Sequence, residues 1–215
     1  MADNTLVIFT SDNGCSRVVR IKKLADKGHK VSGPFRGSKS DIWEGGHRIP
    51  FVACWPGHIE PGSESKQTIC LNDTFATFAE LIGSEVPAGS CEDSVSFLPA
   101  FSGKTIESSR RGIVHHSIHG HFSYRFKNWK LLLARGSGGW SSPNEKQSAG
   151  APVAQLYDMD ADIAEQSNRF EDNSEVADQL LEMLNTDIYS GRSTEGPASK
   201  NDIDEIEMWK SGKSR

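Results

Sequence analysis

The chain has 215 residues, 36% hydrophobic and 25% charged, with a formal net charge of -5. This is ordinary for a globular fold and allows one large domain or two small ones. Acidic and basic residues are mixed along the chain, so no footprint for a phosphate backbone is seen and nucleic acid is not an expected partner.

Apolar stretches such as 6–9 and 131–134 fall far short of the roughly 20 residues that span a bilayer, so no transmembrane helix is expected. The opening Met1-Ala2-Asp3-Asn4 has neither the basic region nor the apolar length of a signal peptide. Cys15, Cys54, Cys70 and Cys91 are widely spaced without a CxxC pair, which gives no zinc ribbon or thioredoxin-type signal. They are read either as disulfides of unspecified pairing or as free thiols, with Cys54 buried in a strand.

In chain order, residues 5–10 form a continuous apolar and β-branched run, the pattern of a strand covered on both faces of a largely parallel sheet. The run ends in the turn signal Ser11-Asp12-Asn13-Gly14. A second such run, 50–55, stops at Pro56-Gly57, and a long polar, Gly-rich connection lies between the two. Asn72 or Asp73 can cap a helix to Ile82, because Phe75, Phe78, Ala79 and Ile82 recur at helical spacing and Gly83 follows. Residues 84–110 read as loop.

Strands at 112–117, 122–126 and 129–134 follow, the last two joined as a hairpin through Lys127-Asn128. After a Gly, Ser and Pro-rich excursion a short strand returns at 153–158. A closing helix at 174–189 carries Val176, Leu180, Leu184 and Ile188 on one stripe. The expected organisation is an α/β part at 1–110, an antiparallel-sheet subdomain with a closing helix at 111–190, and a polar, disordered tail at 191–215.

Two groups of residues could carry chemistry. Asp12 and Asn13 offer adjacent hard oxygens beyond the end of a strand, which suits calcium or magnesium but supplies only two of the six to eight oxygens calcium usually takes. Read alone, Asp-Asn-Gly is a turn. The stretch Gly33-Pro34-Phe35-Arg36-Gly37-Ser38-Lys39 places a compact cation among glycines that let backbone approach an anion closely. It lacks the order and spacing of a Walker A loop, and read alone it is a solvated surface.

Taken together, T-L-V-I-F-T-S-D-N-G, then G-P-F-R-G-S-K-S-D-I-W-E-G-G-H-R-I-P-F, then C-W-P-G-H-I and the later L-Y-D-M-D-A-D-I-A-E-Q-S-N resemble the sulfatase family over residues 3 to about 190. The resemblance implies the fold class: α/β, part of an alkaline-phosphatase-like mixed sheet with helices, followed by a small antiparallel sheet and helix. It implies that Asp12 and Asn13 are metal ligands, usually for calcium. It also implies that Lys39 binds the sulfate and assists the leaving oxygen, with Glu44 and Arg48 as structural partners behind the loop. Ile163 departs from the family, which often has proline there.

Among the clustered histidines, His115, His119 and His121 would share one face of an extended strand and mimic a zinc site, although Gly120 interrupts that strand. The resemblance instead makes His119 and His121 part of a substrate-pocket wall.

Sulfatases of this kind attack sulfur with formylglycine made from C/S-x-P/A-x-R. No stretch is read as satisfying that pattern, Cys54-Trp55-Pro56-Gly57-His58 coming nearest but ending in histidine, so the nucleophile is expected in a half of the enzyme that this chain lacks. The resulting expectation is a C-terminal fragment of a sulfatase acting on a sulfate ester of unspecified alcohol. The alternatives are a non-catalytic remnant or pseudoenzyme, or a phosphodiester or phosphonate hydrolase on the same scaffold. Family members are often exported, which leaves the compartment open.

Overall fold

A computed structural model describes residues 2–87, 89–107 and 110–210. In chain order the elements are β1 (Val7–Thr10), α1 (Ile21–Ala25), α2 (Glu44–His47), β2 (Phe51–Cys54) and α3 (Asp73–Leu81), then β3 (Ile113–His116), β4 (Phe122–Phe126), β5 (Trp129–Leu132), β6 (Gln155–Asp158) and α4 (Ser174–Ser190). They fall into two compact units built from interleaved stretches. One takes in the chain up to Thr10, Pro50–Ile113 and Thr186–Asp202; the other takes in Ser11–Ile49, Val114–Asn185 and the chain from Ile203.

In the first unit β1 pairs with β2 antiparallel, in register from Val7↔Cys54 to Thr10↔Phe51. This differs from the both-faces-covered strand of a largely parallel sheet that the sequence suggests. Burial alternates along β1, and Val7 and Phe9 stand 58% and 66% exposed. A continuous apolar run reads as doubly covered, but among the described residues only the face bearing Ile8 and Thr10 is half-covered. Cys54 is exposed rather than buried, and all four cysteines are free thiols.

Helix α3 forms where its periodicity predicts it, and Gly83 ends it in the left-handed conformation (φ 67). Its apolar stripe nevertheless stays partly in solvent, with Phe75, Phe78 and Ile82 all exposed. The anchored residues are polar. The buried Asp73 carboxylate accepts from Cys70 N at 2.7 Å and Val95 N at 3.0 Å, and it pairs with Arg110 at 2.7 and 3.1 Å. Asp73 therefore ties three segments together instead of simply capping the helix.

The start of the tail expected to be disordered is pinned. Ser193 donates from its amide and its hydroxyl to Asp93 Oδ1, both at 2.7 Å, and Ser193 and Thr194 are buried. Residues 211–215 of that tail, and Ala88, Ser108 and Ser109 of the expected loop, lie outside the described residues.

The second unit holds the four-stranded sheet in the order β3-β4-β5-β6. The β4–β5 hairpin turns through Lys127 and Asn128, with Phe126 opposite Trp129 and Lys127 in the left-handed region (φ 53), as a two-residue hairpin turn requires. β6 adds antiparallel to β5. Ile42, Trp43, Leu132, Ala134, Tyr157 and Met159 form a buried cluster beside this sheet. Along α4, Ala177, Leu180 and Leu184 are buried, close to the predicted stripe.

Candidate active site

The two loops singled out by sequence are joined main chain to main chain within the second unit. Asp12 and Asn13 follow β1 in the chain; next, Gly14 N donates to Gly46 O at 2.8 Å and Lys39 N donates to Cys15 O at 3.0 Å. No side chain fits at the closest approach. A Cβ on Gly14 would overlap the carbonyl of Gly45, and one on Gly45 would overlap the carbonyl of Gly37. The glycines are therefore there to let backbone meet backbone.

The Lys39 loop is held from its other side by Asp41, a residue the sequence reading passed over. Its buried carboxylate accepts from Ser38 N at 2.8 Å through Oδ2, and from Trp140 N and Ser141 N at 2.9 Å each through Oδ1. Three backbone donors on one carboxylate fix the loop's curvature more firmly than a neutral acceptor could. Ile118 N donates to Ser40 O at 3.1 Å, which draws the turn carrying His119 to the same loop. Ser40 itself takes a left-handed backbone (φ 85), and its hydroxyl is buried without a hydrogen-bond partner among the described residues. Strain of this kind in a non-glycine residue costs about 1–3 kcal/mol and concentrates at functional sites.

Asp12, Asn13, Lys39, His119 and His121 thus belong to mutually bonded loops. Asp12 is exposed, with Ser11 Oγ 3.5 Å from its Oδ1, while Asn13 and Lys39 are half-buried. His119 is exposed on the turn between β3 and β4. His121 is buried, and its Nδ1 donates to Leu133 O at 3.0 Å, which fixes the ring. His115 does not share a strand face with the other two, because β3 ends at His116 and Gly120 turns the chain (φ 76).

Behind the loop lies a connected polar network. Lys130, wholly buried on β5, donates to Glu44 Oε1 at 2.8 Å, Glu165 Oε1 at 2.7 Å and His47 Nε2 at 3.2 Å. Arg48 pairs with Glu44 Oε2 at 3.0 Å, and Glu44 N donates to Glu165 Oε2 at 2.6 Å. Arg36 donates to Glu165 O at 2.7 Å and lies over the Trp43 ring at 3.7 Å.

Burial works against the Glu44 charge, but Lys130 and His47 together outweigh it and hold the carboxyl well below the usual range. Glu165, buried more completely, is pushed up by burial that Lys130 only partly offsets. His47 is pushed down to about 4, by burial first and then by Lys130, so it is neutral and accepts from the lysine. Its ring packs against His115 at 3.8 Å between centroids, and burial lowers His115 in the same sense. Sequence pointed to Glu44 and Arg48 but not to Lys130 or Glu165, whose partners lie 86 and 121 residues away in the chain.

One stretch of the chain does spell the formylglycine pattern: Ser32-Gly33-Pro34-Phe35-Arg36 reads S-x-P-x-R. This corrects the reading in which Cys54 comes nearest to that pattern. Here the serine and arginine are committed elsewhere, since Ser32 Oγ donates to Gly37 O at 3.1 Å and Arg36 is bound into the network. Cys54 is exposed, so burial does not exclude it; what separates it from the pattern is His58, whose ring stacks on Trp55 at 3.8 Å where an arginine would be needed.

The family model described as Sulfatase matches residues 1–84, the stretch that carries Asp12, Asn13 and Lys39. An N-acetylgalactosamine-6-O-sulfatase of Bacteroides thetaiotaomicron is 30% identical over 187 residues, covering 86% of this chain and 36% of that protein. A solved structure from work on the metabolism of multiple glycosaminoglycans by Bacteroides thetaiotaomicron superposes with a TM-score of 0.71 at 29% identity, over 86% of this chain and 39% of that one. Along most of its length the chain is similar to sulfatases.

It spans little more than a third of the length of these relatives. A steryl-sulfatase of Rattus norvegicus is 34% identical over 119 residues, 54% of this chain and 20% of that protein. A sulfatase from Pseudoalteromonas matches in fold alone, with a TM-score of 0.65 at 20% identity. These likenesses bear out the alkaline-phosphatase-like α/β architecture and the placement of this chain in the C-terminal portion of the family.

For calcium, the donor chemistry fits as far as it goes: an exposed carboxylate next to an amide oxygen in one turn. Among the described residues no group of three or more His, Cys, Asp or Glu side chains could hold a metal, and Asp12 and Asn13 alone supply too few oxygens for calcium.

Proposed function

We propose that this chain forms the leaving-group side and part of the metal side of a sulfatase active site that hydrolyses sulfate esters to alcohol and sulfate. The observation that supports the reading is the backbone seam between the 12–15 and 36–46 loops, which puts Asp12, Asn13 and Lys39 on hydrogen-bonded loops. Asp12 and Asn13 would hold the calcium, which when bound polarises the sulfate oxygens.

Lys39 extends from a loop fixed by Asp41, so its ammonium meets the ester with little reorganisation and offsets charge developing on the departing oxygen. His119, exposed on the turn bonded to Ser40, is the histidine available to the substrate alcohol. His121 fixes the turn from beneath. Glu44, Lys130 and Glu165 hold the loop from behind and touch no substrate.

The test is Lys39→Ala in this chain joined to a nucleophile-bearing sulfatase segment. Removing a donor aimed at developing charge should lower kcat by roughly 10²–10³ and leave calcium affinity nearly unchanged. Asp12→Ala should instead be rescued in part by high calcium. Near-full kcat in Lys39→Ala, with activated and unactivated esters alike, would sink the assignment and leave the loop as solvated surface.

A further inference from the structure

A second feature of the same unit borders the Lys39 loop. A cleft of about 820 Å³ is lined by Arg17, Arg20, Lys22, Lys23 and Arg36, with Asp26 as the one carboxylate on its wall. Five cationic side chains against one acid stand out in a chain whose net charge is -5. Arg17, Arg20, Lys22 and Lys23 are exposed and make no ion pair with a described residue. Arg36 donates to neutral acceptors, the Tyr157 hydroxyl and the Glu165 carbonyl, and pairs with no carboxylate among the described residues.

Arg20 also holds a left-handed backbone (φ 59), which glycine or asparagine adopts at lower cost, yet a cation occupies the position. Gly37 and Ser38, the two residues before Lys39, also line the cleft, as do Ser141 and Ser142.

We propose that this cleft is a subsite for further negative charge on the substrate, so that the alcohol released is an acidic, polyanionic glycan. The proposal rests on the sulfate-ester reading above and narrows it. The volume lies in the upper part of the roughly 300–1,000 Å³ range of small-ligand sites. Unpaired cations in a concave surface focus the field on an anion and discriminate against neutral glycans. The lining also argues against a nucleic acid, which single-strand sites hold by stacking bases on aromatic rings. The one aromatic here, Trp43, is buried and already covered by Arg36. Serine hydroxyls suit sugar hydroxyls instead.

The test measures binding of three fluorescent probes to the 215-residue chain: a chondroitin sulfate tetrasaccharide, a neutral dextran oligosaccharide of equal length, and an oligothymidylate of matched charge. The sulfated glycan should bind, the neutral one should not, and affinity should fall as salt rises. The variant Arg17→Gln/Lys22→Gln/Lys23→Gln alters only exposed side chains and should weaken glycan binding by about tenfold, since each exposed charge pair contributes modestly.

Lys66→Gln/Lys104→Gln/Lys200→Gln removes the same charge from exposed positions elsewhere and should leave binding unchanged. Equal losses in the two triple variants, equal binding of neutral dextran, or tenfold tighter binding of oligothymidylate would each overturn the proposal. Failure of the sulfatase reading would instead appear as full kcat in Lys39→Ala, a result independent of these affinities.

Discussion

Lys130→Met tests whether the polar network behind the loop is what holds it. Lys130 is wholly buried, and its ammonium lies 2.7–2.8 Å from two carboxylates. Methionine keeps most of the apolar stem and removes the charge. Glu44 retains Arg48 at 3.0 Å, but Glu165 is left with the Glu44 amide at 2.6 Å as its remaining donor to the carboxylate. Breaking a buried pair from one side costs about 3–5 kcal/mol because the orphaned charge stays buried; the donors that remain place this case near the lower end, about 3 kcal/mol.

Urea unfolding of the chain at neutral pH would measure the cost as a shift in midpoint at constant slope. Adding Glu165→Gln should recover part of the loss, because the double variant no longer buries an uncompensated carboxylate. The deficit should also narrow as pH falls and the orphaned carboxyl takes up a proton. A loss below about 1 kcal/mol, the size of an exposed ion pair, would refute the argument and make the network ornamental to stability.

Stability should also fall with acid in a defined window: His47 titrates near 6.5 when unfolded and about 4 when folded, so the unfolded chain binds the extra proton between these values. His115 acts in the same sense and Glu165, raised by burial, in the opposite one, so thermal unfolding of His47→Gln should show a flatter slope between pH 6.5 and 4 than the parent. Gly45→Ala should cost about 1–3 kcal/mol through overpacking against the Gly37 carbonyl, and an unchanged midpoint would mean the seam yields freely. Coexpression with a formylglycine-generating enzyme should leave the peptides containing Ser32 and Cys54 at their unmodified mass, and the 215 residues alone should release no phenol from an aryl sulfate. A mass change at either peptide, or calcium-dependent turnover, would place the nucleophile within this chain.

What was legible in the sequence was local. The β4–β5 hairpin announced itself through Lys127-Asn128 between two apolar runs, and α4 through its stripe. The two loops were marked by glycines beside a carboxylate and a lysine. What stayed hidden depends on partners distant in sequence. Asp41 organises backbone about 100 residues away, and Lys130 meets carboxylates on two other segments. Neither leaves a periodic trace. α2 was missed because a four-residue helix containing Gly45-Gly46 contradicts helix propensity and exists only through its packing. The exposure of β1 was missed for the opposite reason, since a composition suited to two covered faces says nothing about what covers them.

The seam between the loops has a consequence for how such a site can change. Between its two anchor points, Gly14 to Gly46 and Lys39 to Cys15, the chain makes an excursion through residues 16–38 that carries the basic segment. Both ends are tied by main-chain bonds, so substitutions among its exposed residues between 17 and 30 leave the clamp intact. Lengthening a loop already closed costs only about 0.6 kcal/mol per doubling. Charge, length and composition can therefore drift there while Lys39 and the Asp12-Asn13 turn stay where they are.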